Sequence, residues 1–223
     1  MSVFDIAERI FRDRASFLAE VQEAAGLPVK IGKSAVVWAV ALLLSGAVMG
    51  APGGVYQILA SAIKLPLLFG VTALICLPLL YFFALYFGAK WNLCQVGALL
   101  SAMLVVVAAI ALAWVPALLV LWISVGDYAL YKLACAAVLA FSGVLGVLFL
   151  GQALDALTPG AALRRRLFWV WAILYAFIGG QLAWLARPFV GVPGAAFQFL
   201  AGSGGSLYAD LARTFWTLLL SIL

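Results

Sequence analysis

The sequence has no histidine, only eight acidic residues and only three cysteines among 223 residues, and each scarcity removes a class of chemistry. Without imidazole there is no axial haem histidine, none of the usual zinc sites, no Ser-His-Asp or Cys-His catalysis and no histidine pH switch. Cys76, Cys94 and Cys135 are an odd number in or beside apolar segments, which excludes a disulfide framework and a CxxC metal pattern; they read as small buried hydrophobes. There is no HExxH, no carboxylate pair at membrane depth, no glycine-rich phosphate loop and no buried lysine beside a serine. No catalytic residue, metal or cofactor is therefore expected, the chain is not expected to be an enzyme, and nucleic acid is not expected as a partner. Charge is scarce as well, at 9% of residues.

What is present is hydrocarbon. Apolar and aromatic residues make up 68% of the chain and the mean hydropathy is +1.22, an excess that a water-soluble core of this length could not hide. The composition predicts an all-α integral membrane protein. Beyond Lys33, apolar blocks of the length needed to cross a ~30 Å layer run over Ser34–Ala51, Leu65–Gly88, Val96–Ile123, Tyr131–Leu154 and Leu167–Ala186, giving a bundle of five transmembrane helices. A sixth stretch, Leu207–Leu223, carries Asp210 and Arg213 and reads as interfacial or re-entrant rather than as a full span. The predicted organisation is a cytoplasmic helix and linker over residues 1–33, the membrane domain over 34–187, and a re-entrant or interfacial segment over 188–223. Between the first two blocks, Val55 to Lys64 is expected to lie flat as a short helix before Pro66 begins the second span. Pro78 and Pro116 are expected to bend spans two and three.

Five of the eight acids fall in the first 23 residues, which is too acidic for a cleavable signal peptide. There Val3, Ile6, Ala7, Ile10, Phe11, Phe17, Leu18 and Val21 recur at steps of three and four, the pattern of an amphipathic helix. Ser2 with Asp5 resembles a capping box, Asp5 with Arg9 and Glu8 with Arg12 are i,i+4 pairs, and Gly26 and Pro28 end the helix. Such a helix can lie on the bilayer, pack on the spans or dock a protein partner through residues 1–27.

Basic residues set the orientation. With the N-terminus inside, nine lie in inner segments (Arg9, Arg12, Arg14, Lys30, Lys33, Lys90, Arg164, Arg165 and Arg166) and four in outer ones (Lys64, Lys132, Arg187 and Arg213). The N-terminus is therefore expected in the cytoplasm. Arg164, Arg165 and Arg166, with Lys30 and Lys33, are candidates for anionic headgroups or a partner, each charge contributing about 1 kcal/mol near such a surface. A candidate polar cluster on the outer side comprises Asp127, Lys132, Gln181, Arg187 and Asp210, with Arg187 expected to pair with Asp127 or Asp210. Gly46 and Gly50, Gly143 and Gly146, and Gly179 and Gly180 mark close helix packing or self-association into a homo-oligomer.

Lys64-Leu-Pro66 through Cys76-Leu-Pro78-Leu-Leu-Tyr81, Asp127-Tyr128 with Lys132-Leu133, and Gln181-Leu-Ala-Trp184 through Arg187-Pro188-Phe189-Val-Gly191-Val-Pro193 resemble a family of uncharacterised bacterial multi-span proteins, and more distantly the chain is similar to Yip1-type membrane proteins. The resemblance implies five helices, a cytosolic N-terminal region and the bacterial inner membrane, and it implies no catalytic residue. The functional expectation is a non-enzymatic anchor or assembly partner of a membrane complex; the alternative is a small oligomeric channel or transporter for ions or lipids.

Overall fold

The computed structural model describes residues 3–86, 91–157, 162–191, 213 and 216. Among these the regular structure is helical: α1 (Val3–Arg12), α2 (Arg14–Gln22), α3 (Leu27–Met49), α4 (Val55–Tyr86), α5 (Leu93–Ala113), α6 (Val115–Val125), α7 (Tyr128–Leu157) and α8 (Ala162–Ala186), with one 3-10 turn at Ala51–Gly53. Five helical stretches are long and apolar enough to cross a membrane: Leu27–Met49, Val55–Tyr86, Leu93–Val125, Tyr128–Ala156 and Phe168–Ala186. Their number agrees with the five blocks read from the sequence, while several boundaries differ.

The first span begins at Leu27, well before Ser34. Gly26, in the left-handed region at φ 61°, reverses the chain, and Pro28 sits in the first turn of α3, where its fixed φ suits a helix start. Val55 to Lys64 is not a separate flat helix but the first third of α4, which runs unbroken through Pro66 and Pro78. Tertiary packing overrides the proline here: Gln57, Ser61, Lys64 and Leu65 all lie on the inward face of one helix. Pro116, by contrast, divides its span. The chain turns at Trp114 and Pro116 opens α6, so the break falls at the residue pair that a helix-starting proline prefers.

α5 is the axial helix of the bundle. It packs against α3, α4 and α7, and α8 lies outermost against α4. Val96, Leu99, Ala102, Met103, Val105, Val107 and Ala108 of α5 are all completely enclosed. The outer faces of α3, α4, α7 and α8 carry exposed Val40, Leu44, Leu74, Phe82, Val144, Ile173 and Phe177, the inverse of a soluble protein's surface.

α3 and α4 form a tight antiparallel hairpin around two glycines. A Cβ on Gly50 would meet the Gln57 carbonyl oxygen at 2.6 Å, and one on Gly46 would run into the Ser61 carbonyl. Gly146 of α7 likewise receives Val107, whereas Gly143 faces open space and Gly179 makes only ordinary contact with Thr72 at 3.4 Å. Within the chain, therefore, Gly46, Gly50 and Gly146 permit a close approach.

α1 and α2 cross the end of the bundle where α3 and α5 begin. Ile6, Ile10, Phe17, Leu18 and Val21 point into the same core as Leu99, Met103, Leu150 and Trp171. Of the three placements open to this segment, the structure takes the second: the apolar stripe is buried on the chain's own helices.

Candidate functional site

The polar side chains gather at the two ends of the bundle. At the end covered by α1 and α2, Glu20 is the hub. Its carboxylate takes Arg9 of α1 at 2.7 Å and Lys30 of α3 at 2.8 Å, so one side chain of α2 joins three helices. The Lys30 hydrogen bond and its charge, with Arg9 behind it, hold the Glu20 carboxyl below the usual carboxylate range. Lys30 also donates to the Ala25 carbonyl at 2.6 Å. It is thus committed within the fold, with little of its side chain exposed. Glu8 and Arg12 form the predicted i,i+4 pair at 2.9 Å, and Arg9 reaches Glu20 on the next helix.

The ends of α2 are tied down by long-range donors. Asp13 interrupts the N-terminal helix and caps α2 through the Ser16 N–H. Arg14 donates to Gln152 Oε1 at 2.8 Å and to the Phe149 carbonyl at 2.9 Å while lying over the Phe149 ring. Burial against α7 lowers the Arg14 pKa from its ordinary value. At the other end, Gln95 Nε2 donates to the Val21 and Gln22 carbonyls at 2.9 and 3.0 Å, closing the C-terminus of α2. Asn92 and Gln95 cap α5 reciprocally, so the same glutamine starts one helix and stops another.

The opposite end carries the denser polar cluster. Gln57, Ser61 and Lys64 stand at i, i+4 and i+7 on α4 and are nearly inaccessible, at 2%, 0% and 4% exposure. All three donate to the strap that leaves α8, residues 187–191. Gln57 Nε2 reaches the Pro188 carbonyl at 2.7 Å and the Phe189 carbonyl at 3.3 Å, Ser61 Oγ donates to Phe189 O at 2.5 Å, and Lys64 Nζ donates to Pro188 O at 3.1 Å. From the other side Tyr128 OH donates to the Val190 carbonyl at 3.1 Å. Three consecutive carbonyls of non-helical backbone are thereby satisfied by side chains, as buried irregular backbone requires. The strap ends where Gly191 meets Gly53; a Cβ on either would lie 2.7 Å from the other's Cα.

The predicted polar cluster is only partly assembled. Asp127 is exposed and caps its own helix, accepting from the Leu130 N–H at 2.7 Å, and it pairs with neither Lys132 nor Arg187. A carboxylate at a helix N-terminus already meets free N–H groups and a favourable dipole, so it gains little by leaving them. Arg187 lies over the Trp184 ring, 3.2 Å from its centroid. Lys132 is half-buried in the first turns of α7, and Gln181 is exposed on α8. Asp210 and the segment 192–212 lie outside the described residues, as do Lys90 and the side chains of Arg164 and Arg166; Arg165 is exposed. Lys64, read from the sequence as an outer connection charge, is a buried residue of α4, and Ser61 lies three positions before it, so a buried lysine beside a serine does exist. The serine hydroxyl is engaged by Gln57 at 3.0 Å and by Phe189, and it is not poised as a nucleophile. Cys94 is exposed at the start of α5, unlike buried Cys76 and Cys135.

The signal for the strap cluster was legible as spacing: Gln, Ser and Lys at steps of four and three within an apolar helix. It was lost by ending that helix at Pro66. Elsewhere in the spans the buried hydroxyls of Ser101 and Tyr175 have no hydrogen-bond partner, whereas three others are bonded within their own helices. Ser45, Thr72 and Ser142 each donate to the carbonyl four residues before them, at 2.8, 2.6 and 2.7 Å. Among the described residues no group of His, Cys, Asp and Glu could hold a metal ion.

Comparison with protein-family models, with curated proteins and with solved structures returns no match to this chain. Function has to be argued from the geometry.

Proposed function

We propose that the chain is a multi-pass protein of a bacterial cytoplasmic membrane, with its N-terminus inside, that serves as a non-enzymatic anchor or assembly component. The supporting observation is how the interior is filled. The axial helix α5 is buried over most of Val96 to Ala111, where Ser101 is the one polar residue, and the span hydroxyls of Ser45, Thr72 and Ser142 turn back on their own helices. A water or ion path needs a stripe of available polar groups or a wide cavity, and a side chain already bonded to its own backbone supplies neither. This favours the anchor over the channel.

Available polarity lies on the outward face of α1 and α2, where Glu8 and Arg12 are well exposed beside Asp13 and Phe11. The buried stripe of these helices is occupied by the chain's own core, so a partner would read this charged face. The inside orientation follows from the excess of basic residues on that side, and the bacterial membrane from the family resemblance. Affinity capture from native membranes in mild detergent tests the reading, comparing the wild type with Glu8→Lys/Arg12→Glu, a reversal that keeps the local ion pair. Loss of a defined partner on reversal is expected; an unchanged set of captured proteins counts against the proposal.

A further inference from the structure

The cluster on α4 is unusual in what it leaves under cover: an amide, a hydroxyl and a lysine ammonium, with Lys64 roughly 13 Å along the helix from its first residue, Val55. Apolar side chains of similar volume would fill this place without the desolvation that a buried cation carries. Two separate devices bring the strap onto these groups. One is the row of donors from Gln57, Ser61, Lys64 and Tyr128 to the carbonyls of Pro188, Phe189 and Val190. The other is the contact of Gly53 with Gly191, which admits the strap close enough for those bonds to form.

We infer that residues 187–191 form a lid that seals the polar, lysine-bearing face of α4 from the aqueous phase at that end of the bundle. The inference rests on the multi-pass reading above. Lifting the strap withdraws acceptors from an amide, a hydroxyl and an ammonium at once, and groups of that kind do not stay dry in hydrocarbon. Water must take the place of the strap, so this face of α4 has two conditions, covered and wet. The donors and the single cation suit an oxygen-rich acceptor, which the strap carbonyls supply in the covered state.

The test uses the full-length protein in right-side-out membrane vesicles, treated with a membrane-impermeant amine-acetylating reagent. Modification is read by peptide mass spectrometry at Lys64, with half-buried Lys132 as the reference on the same side. In the wild type Lys64 reacts far more slowly than Lys132. In Gly191→Val, whose added side chain collides with Gly53 and Gln57, the Lys64 rate relative to Lys132 rises by roughly tenfold, the change that about 1.4 kcal/mol of lost closure produces. If that variant does not remain monodisperse, Gly53→Ala applies a milder collision at the same contact. Two results overturn the lid: a wild-type Lys64 as reactive as Lys132, or a monodisperse strap variant in which the ratio does not move. Reaction of both lysines only in inside-out vesicles overturns the proposed orientation instead, and the same ratio measured there still decides the lid.

Discussion

The indole Nε1 of Trp171 on α8 donates to the carbonyl of Cys76 on α4 at 3.0 Å, both groups being fully enclosed. This bond joins the outermost helix to the bundle at the turn of α4 that precedes Pro78. Trp171 also stacks between Tyr175 and Phe168, with centroids 5.3 and 6.0 Å away. Trp171→Phe keeps most of the stacking and removes the bond, so it should cost about 1 kcal/mol, while Trp171→Ala also opens a cavity and should cost about 3–5 kcal/mol. Thermal unfolding in detergent, compared across the two variants, checks both the order and the spacing.

The glycines separate in the same assay. Gly50→Ala places a methyl group 2.6 Å from the Gln57 carbonyl oxygen, and backbone there cannot yield without parting α3 from α4. Gly143→Ala meets nothing within 4 Å. The first substitution should lower the melting temperature; the second should leave it unchanged or raise it, since alanine is the better helix former by up to about 1 kcal/mol.

Glu20 gives a pH dependence whose sign follows from its partners. Lys30 and Arg9 lower its carboxyl pKa in the folded protein. Its contribution is therefore complete above the ordinary carboxylate pKa and is lost as the pH falls through the depressed folded value. Amide exchange in α1 and α2 should be slow at neutral pH and accelerate in acid relative to that of α5. Glu20→Gln should show the faster exchange already at neutral pH and lose this part of the acid response.

Removing residues 1–22 should destabilise the bundle itself. Ile6, Ile10, Phe17, Leu18 and Val21 are core residues, each worth about 1.5–3 kcal/mol on full burial. The truncated chain should broaden or aggregate on size exclusion in mild detergent. For this reason loss of a partner on truncation would not identify a docking surface, whereas the reversal of Glu8 and Arg12 would.

Much of the architecture was written in local pattern. Apolar runs of span length, a polar N-terminal segment with a three- and four-residue stripe, and Gly46 with Gly50 on one face each follow from helix geometry, which depends only on neighbours in sequence. Even Asp127 is a local matter, because a carboxylate just before a helix finds its partner within one turn. The reading failed where a local rule met a distant contact. Pro66 looked like a helix start, yet the inward face of α4 holds the helix together through it. Nor did local spacing show that Arg9 would meet Glu20, which lies across the turn at Asp13.

By itself, the sequence determined the apolar excess, the helical pattern and the number of long apolar helices, since these depend on composition and on periods of a few residues. Only the tertiary structure decided where the few polar side chains act. Gln57, Ser61 and Lys64 meet carbonyls more than 120 positions away, and Arg14 meets Phe149 and Gln152. An apolar interior offers a buried donor little water, so these donors take their acceptors wherever the folded chain brings them, and no local pattern contains that address.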